Sequence, residues 1–600
     1  MDKIAVLDFG GQYAHLIANR IRRLGVYSEI LDGDVSVEEL RDYKGIILSG
    51  GPASIKDEDS IKCDTRIFEL GVPIMGICYG HQLTASSLGG EVEPGKVREY
   101  GPAVVNFENK KEVFEGMADH ENVWMSHFDQ VVTLPEGFEK VGETDDTPIA
   151  AMADFDRKIF CMQFHPEVTH TPCGKLILDN FVNITGAKRA WDIGKFIEEE
   201  VSNIKTVVGD KKVFLMISGG VDSTVAFMLL VEALGQDRVY GLFVDTGFMR
   251  MGEREQVEKA LKAVGVTNLH VYDASEEYFE ALENVYEPEE KRRIIGDLFL
   301  DIQAKVSKNL ELNPDDWFLA QGTIYPDTIE TGGTKHADTI KTHHNQVEAI
   351  KKLKESGKVI EPLEQLYKDE VRAVGEKLGL DKKMVWRHPF PGPGLAVRTL
   401  CAEDDSFPDS LKKTEDRIRD FLSGEDVKIR VLPIKSVGVQ GDVRSYRHPV
   451  IVYGKEFSWD ELNTLSTRLT NQFEDVNRVI WGLWPQDFDA LSIQKSFLTR
   501  ERVLTIQRAD KIVMDYLVEA DIEREIWQFP TVLIPVGVDS QVGESIVLRP
   551  VCSQEAMTAN FYQMDFGKLH ELVGRLAKVD GVSGVFYDVT NKPPGTIEWE

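Results

Sequence analysis

Twice in this chain a short apolar run meets glycines and leaves at once as a helical pattern. The first case is "VPIMGICYGHQLTASSLGG", Val72 to Gly90, and the second is "KKVFLMISGGVDSTVAFMLL", which begins at Lys211. A buried strand that becomes a helix within a few residues belongs to a mostly parallel sheet with helices on both faces. Such a turn also gathers backbone N–H groups at its mouth, where an anion or a reacting group can be held.

The flanking patterns agree. "KIAVLDFG" precedes "HLIANRIRRLG", in which Leu16, Ile17, Ile21 and Leu24 share one helical face. "GIILSGG" is a further buried strand, and "VYGLFVDTG" supplies another after the second junction. The expected fold class is α/β: two doubly wound, mostly parallel-sheet domains at 1–187 and 209–395, joined by a polar linker helix at 188–208. Residues 396–600 change character, with strands such as "IRVLPIKSVGVQ" and "PTVLIPVGVDS" set among helices such as "SWDELNTLSTRLTNQF". That grouping predicts an α+β C-terminal domain. It also reads as an internal duplication. "VLPIKSVGVQGD…RHPVIV" parallels "VLIPVGVDSQ…SIVLRPV", and "DVNRVIWGLW" parallels "GVSGVFYDVT".

Composition narrows the function classes. Six hundred residues exceed what one hydrophobic core serves. No apolar run approaches the ~20 residues needed to span a bilayer, and "MDKIAVLDFGG" reads as a strand rather than a basic leader. The formal charge of −31 argues against nonspecific nucleic-acid binding. Six cysteines without a C-x-x-C pair argue against a zinc site and a disulfide framework, so a cytoplasmic protein is expected.

Cys78 stands on the first turn, with Gly76 and Gly80 giving the room a nucleophile there requires. The following helix N-terminus favours thiolate over thiol. A base and an orienting acid are available in "CMQFHPEVTH", as His165 and Glu167. "GICYGHQ" with "FHPE" resembles the class I glutamine amidotransferases, which hydrolyse glutamine to glutamate and ammonia. By that resemblance Cys78 is the nucleophile, His165 the base and Glu167 its orienter. "LSGGPASI" resembles the oxyanion loop, which implies that the amides of Gly51 and Tyr79 bind the oxyanion. Gln82 and the stretch Ser126, His127 and Asp129 match positions that hold glutamine.

The second turn, Ser218-Gly219-Gly220-Val221-Asp222-Ser223 followed by Thr224, lacks the lysine of a G-x-x-x-x-G-K-[ST] loop. Its S-G-G-x-D-S form resembles the pyrophosphatase (PP-loop) enzymes, which split ATP between the α- and β-phosphates and adenylate an oxygen. ATP with Mg²⁺ is the implied cofactor. Asp222 is the candidate metal ligand and Asp245 of "VDTG" a further ATP-site candidate.

"EEKRRIIGDLF", "AQGTIYPDTIE", "IKTHHN", "RHPFPGPGLAVR" and "DVTNKPPGTIEWE" occur in the order seen in the glutamine-hydrolysing GMP synthetase family. The resemblance covers essentially the whole chain. It implies amination of xanthosine 5′-monophosphate (XMP) to GMP, with AMP and pyrophosphate released. It further implies XMP-binding roles for Arg292, Lys341, Thr342, His343, His344, Asn345, Asp442, Lys592 and Glu598. "QVEAI" stands after "HHN" where short members carry a glycine-rich "VGGLP"-like stretch, and the last domain carries two strand units where short members carry one. Both departures resemble the long form. Short forms dimerise through that domain, so a duplicated unit could fill the partner's place, and monomer and homodimer are both open. The small-molecule substrates implied are XMP, ATP and glutamine, with no nucleic-acid or membrane partner. An amidotransferase with another adenylated acceptor, and an idle interaction protein of the same fold, are the competing readings.

Overall fold

The computed structural model describes residues 2–11, 13–57, 60–325, 353, 356–440, 443–538, 543–553 and 559–600. The chain divides into two compact units. One comprises Met1–Asn203 with Thr323–Thr342 and Leu363–Val374, and the other Ile204–Gly322, His343–Pro362 and Gly375–Glu600. The expected sites at Lys341 to Asn345 and at Asp442 lie outside the described residues.

The first unit holds a nine-stranded sheet. Its strands are β1 (Lys3–Asp8), β2 (Tyr27–Asp32), β3 (Gly45–Leu48), β4 (Ile74–Ile77), β5 (Glu91–Phe107), β6 (His120–Thr133), β7 (Glu139–Glu143), β8 (Ala151–Asp154) and β9 (Ile159–Met162). They lie in the order β2-β1-β3-β4-β9-β8-β7-β5-β6. From β2 to β9 every pairing is parallel, as the apolar runs predict. Helices α1 (Ala14–Arg23), α2 (Tyr79–Ser87) and α3 (Gly174–Thr185) belong to this part. Beyond β9 the sheet is antiparallel, so the unit is more mixed than its opening pattern predicts. The reason is local: only a one-turn 3-10 helix, Glu112–Phe114, and no α-helix intervenes between β5 and β9, and consecutive strands joined by short connections reverse. This antiparallel wing carries Ser126 to Asp129 on β6.

Arg22 of α1 is buried in this unit. Its guanidinium lies over the rings of Tyr27, Trp191, Tyr325 and Tyr367 and pairs with Glu370 at 3.2 Å. Leu363–Val374 therefore belongs with the first unit by packing, although it lies within the stretch 209–395 that the sequence assigns to one domain.

The second unit opens, after helix α4 (Ile193–Val208) in the expected linker, with a parallel five-stranded sheet. Its strands are β10 (Lys212–Ile217), β11 (Val239–Asp245), β12 (Leu269–Asp273), β13 (Trp317–Ala320) and β14 (Val359–Ile360), in the order β12-β11-β10-β13-β14. The switch between β11 and β13 lies beside β10, whose C-terminal end opens into the Ser218 turn and α5 (Val221–Leu234). Ligands of open α/β sheets bind at such a point.

The last third forms a sheet of β15 (Lys428–Val431), β16 (Ser436–Gln440), β17 (Val443–Tyr453), β18 (Val476–Trp484), β20 (Thr531–Ile534), β22 (Glu544–Leu548) and β25 (Val582–Asp588). Short pairs β19 (Leu491–Ile493) with β21 (Val536–Val538), and β23 (Val551–Cys552) with β24 (Asn560–Phe561), accompany it. The order β15-β17-β18-β25-β22-β20 is a palindrome of pairings: antiparallel, parallel, antiparallel, parallel, antiparallel. The registers repeat as well. Pro449 faces Arg478 and Ser545 faces Gly584, and each is preceded by a bulge that sets His448 opposite Val476 and Glu544 opposite Val582. In the central pair, Ile480 faces Asp588 and Gly482 faces Phe586, with Trp481 opposite Tyr587 at the pseudo-twofold axis. The expected duplication is thus present in the six strands of this path, while β16 pairs with β17 and its counterpart β21 pairs with β19. Helices Trp459–Gln472 and Phe566–Leu576 are its matching crossovers. One face of the sheet packs on helices through Leu462, Leu465, Leu569 and Leu572. The other buries Ile451, Ile480, Val547, Phe586 and Trp599 of the C-terminal segment.

Candidate active sites

Cys78 follows β4 and caps α2 with φ 53° and ψ −102°, a conformation that costs a non-glycine residue on the order of 1–3 kcal/mol. Its neighbours leave no alternative. A Cβ on Gly76 would lie 2.6 Å from the Gly80 carbonyl, and one on Gly80 2.3 Å from the Leu48 carbonyl. The strained turn lifts Sγ off the sheet and sets it at the N-terminus of α2, whose first amides, that of Tyr79 included, have no intrahelical acceptor. Gly50, beside Gly51, packs against both partners: a Cβ there would meet His165 Cε1 at 3.2 Å and Cys78 Cβ at 3.7 Å.

His165 and Glu167 are buried, and His165 Nδ1 pairs with Glu167 Oε1 at 2.7 Å. Nδ1 therefore carries the proton toward the carboxylate and Nε2 faces the cysteine. Burial alone would lower the His165 pKa. The charges of Glu167 and Cys78 outweigh it and hold the ring protonated well above the usual histidine range. His81, one turn into α2, is fully buried and is pushed down to about 3 by burial, so it stays neutral.

The glutamine-pocket candidates also converge. Gln82 donates from Nε2 to the Asp129 carbonyl at 2.6 Å and to Gln163 Oε1 at 3.1 Å. The Ser126 carbonyl lies 3.6 Å from Cys78 Sγ. His127 pairs with the Asp129 carbonyl at 3.0 Å and with Glu99 at 3.2 Å, and Thr144 and Thr147 donate to the same carboxylate. Burial would raise the Glu99 pKa, but the hydrogen bonds from His127 and the two threonines hold it below the ordinary value. Ser54 donates to the Asp129 carboxylate, tying β6 to the loop after β3.

In the second unit the Ser218 turn is braced from within. Ser223 Oγ accepts from the Ser218 amide at 3.2 Å, lies 3.2 Å from Ser218 Oγ and donates to the Gly220 carbonyl at 3.3 Å. Thr224 donates to the same carbonyl at 2.8 Å. Gly219 has φ 78° and gives the turn its left-handed step. Val221 and Asp222 fall in the first helical turn, and Arg387 lies close enough to interact with the Asp222 charge. Asp245 caps its own turn by accepting from Gly247 N at 3.0 Å and pairs with Arg254 at 3.5 Å. Among the described residues no cluster of three or more acidic, histidine or cysteine side chains could cage a metal. A single carboxylate such as Asp222 in the first turn of α5 fits Mg²⁺, which takes few protein ligands and relies on substrate phosphates and water.

Of the described nucleotide-site candidates, Arg292 donates to the main-chain oxygen of Glu600. Glu598 is held in a two-point grip by Arg398, at 2.9 and 2.7 Å, and accepts from Gln528 at 3.0 Å. Burial lowers the pKa of Lys592. The sequence reading missed Lys291, Arg398 and Arg478, which hold this segment. Lys291 is fully buried, pairs with Glu600 and donates to the Ala396 and Thr399 carbonyls at 3.0 Å each. Arg478 joins Asp588 at 2.8 Å and reaches the carbonyls of Val437, Thr596 and Glu598. Arg549 completes the triad on Asp588 at 3.2 Å. Lys291 adjoins Arg292 and Arg398 closes "RHPFPGPGLAVR", so both lay inside stretches already singled out.

A class I glutamine amidotransferase model matches residues 5–184, an NAD synthase model 191–300 and a GMP synthase C-terminal domain model 515–599. A probable glutamine-hydrolysing GMP synthase of Leptospira interrogans (strain Fiocruz L1-130) is 47% identical over 604 residues, covering 100% of this chain and 99% of that one. This chain belongs to the glutamine-hydrolysing GMP synthase family. The GMP synthase of Syntrophomonas wolfei is 38% identical across 100% of this chain and 99% of its own. That of Aquifex aeolicus is 44% identical but matches 80% of this chain with 97% of its own length. Family membership makes the chain an ATP-using ligase with an amidotransferase part. Among the described residues no helix is long and apolar enough to cross a membrane.

Proposed function

We propose that this chain makes GMP from XMP, with glutamine as nitrogen source and ATP as activator, in the cytoplasm. The observation that carries the reading is the buried Cys78–His165–Glu167 set in a chain matched end to end by GMP synthases.

Cys78 Sγ, its proton passed to His165 Nε2, attacks the glutamine side-chain carbonyl. Developing negative charge on that oxygen is met by the amides of Gly51 and Tyr79. His165 returns the proton to the departing nitrogen, which leaves as ammonia, and water then cleaves the thioester to glutamate. Glu167 keeps the ring in the tautomer that does both. Gln82, Ser126, His127 and Asp129 shape the glutamine pocket.

At the second centre the amides of the 218–223 turn and the α5 N-terminus hold ATP phosphates, with Thr224 and Asp245 alongside. Asp222 would hold Mg²⁺, which when bound neutralises phosphate charge. The XMP carbonyl oxygen attacks the α-phosphorus and pyrophosphate leaves. Ammonia displaces AMP from the adenylated nucleotide, giving GMP. Arg292 and Lys592 suit the XMP phosphate and Glu598 the purine or sugar, while Lys341, Thr342, His343, His344, Asn345 and Asp442 carry the family's XMP-site pattern. The duplicated C-terminal sheet favours a monomer, checked by equilibrium sedimentation.

The test separates the two centres. Cys78→Ala abolishes glutamine-dependent GMP formation and leaves ammonia-dependent formation within about twofold of wild type. Loss of both activities together refutes the division of labour. Pyrophosphate release that does not require XMP refutes the acceptor.

A further inference from the structure

Gln163 lies one residue past β9, between two groups already placed in the glutaminase site, and is fully buried. Its side chain spans the gap between Gln82 and the cysteine. Nε2 donates toward Cys78 Sγ at 3.6 Å, and Oε1 accepts from Gln82 at 3.1 Å.

The direction of this relay is fixed from outside. The Asp129 backbone carbonyl can only accept, so the Gln82 amide must present its nitrogen there, at 2.6 Å. The second N–H of that nitrogen points at Gln163, which must answer with oxygen. The nitrogen of Gln163 is then left facing the sulfur. A buried amide held at its oxygen end cannot flip without leaving Gln82 unpaired, a costly exchange in a dry site.

The sulfur therefore has two different polar neighbours besides His165. The Ser126 carbonyl, at 3.6 Å, suits a thiol that donates. The Gln163 N–H suits a thiolate that accepts. When the proton moves to His165 Nε2, the first contact becomes repulsive and the second strengthens, since hydrogen bonds to charged groups are the stronger kind.

Resting on the reading of Cys78 as nucleophile, we propose that Gln163 is a further catalytic residue, one that donates to the Cys78 thiolate and is aimed by Gln82 and the Asp129 carbonyl. It acts at both ends of the cycle. It favours the thiolate before attack, and favours it again as the leaving group when water opens the thioester. No proton leaves Gln163 in either step.

The experiment uses the full-length enzyme and iodoacetamide. Loss of glutaminase activity is followed across pH, and the alkylated residue is identified by peptide mapping. Gln163→Glu keeps an oxygen for Gln82 but turns a second oxygen on the sulfur; Gln163→Met fills the space without a donor. The midpoint of alkylation is expected to rise by about one to two pH units in Gln163→Glu and by about one in Gln163→Met. Alkylation and glutamine hydrolysis at pH 7 fall at least about tenfold, while ammonia-dependent synthesis is unchanged. A Gln163→Met profile that coincides with wild type overturns the proposal and leaves a packing role. Should Gln163→Glu fail to fold, Gln163→Met alone decides. If wild-type inactivation maps to another cysteine, the Cys78 assignment itself fails, and the two failures are thereby distinguished.

Discussion

Arg478→Met tests how the C-terminal segment is held. The guanidinium is fully buried between the two copies of the duplicated sheet, and burial pushes its pKa down to about 10 against the pull of Asp588. Removing one partner of a buried pair costs about 3–5 kcal/mol, because the other charge is stranded. Here Asp588 keeps Arg549 at 3.2 Å, Trp599 Nε1 at 2.9 Å and the Thr590 amide at 3.0 Å. That residual pairing places the loss at the lower end, about 3 kcal/mol. The carbonyls of Val437, Thr596 and Glu598 also lose a donor, so the cost falls on the segment bearing Glu598. In urea, the unfolding of the second unit is expected at lower concentration with an unchanged slope. The KM for XMP rises at least about tenfold, and glutamine hydrolysis by the first unit is untouched. A stability loss below about 1 kcal/mol with unchanged KM would falsify the argument, since a surface-like contribution of that size is what an exposed ion pair gives.

Three other perturbations have defined outcomes. Glu167→Gln removes the charge that raises the His165 pKa; the imidazolium's contribution is complete below about pH 6.5 and is lost as pH rises through the raised value, so the alkaline limb of the glutaminase profile moves to lower pH and the rate falls about 100-fold or more. An unmoved limb would rule out Glu167 as the cause. Ser223→Ala deletes three contacts inside the phosphate turn, and pyrophosphate-release assays should show KM for ATP up roughly five- to tenfold; an unchanged KM would mean the turn is held by other bonds. Gly80→Ala forces a methyl against the Leu48 carbonyl, so the melting temperature of the first unit drops by about 5 °C or more while ammonia-driven synthesis persists.

What the sequence disclosed was mainly local. The junctions at Cys78 and Ser218 were legible because a strand, a glycine turn and a helix are consecutive in the chain. The duplication was legible because "DVNRVIWGLW" and "GVSGVFYDVT" repeat one strand with its flanks, and the register places them as equivalents. The antiparallel wing from β5 to β8 was less legible, since strands that follow one another without an α-helix between them show no change of period at their borders. Least legible were contacts between distant segments. Nothing near Arg22 announces the aromatic box closed by Tyr325, Tyr367 and Glu370, and nothing near Lys291 announces Glu600. Gln163 was overlooked for a different reason: it sits in "CMQFHPEVTH" beside His165, where a neutral amide carries no chemical signature until its partner on α2 is known.

The pseudo-twofold relation has a consequence for which halves can pair. By the registers, the second copy's counterpart of Arg478 is Gly584, and the first copy's counterpart of Asp588 is Gly482. Each half carries one member of the buried pair and a glycine in place of the other. Two first halves brought together would bury arginines opposite glycines, and two second halves would bury aspartates in the same way. Two identical halves cannot reproduce this buried pair, so the sheet closes only when one half of each kind is present.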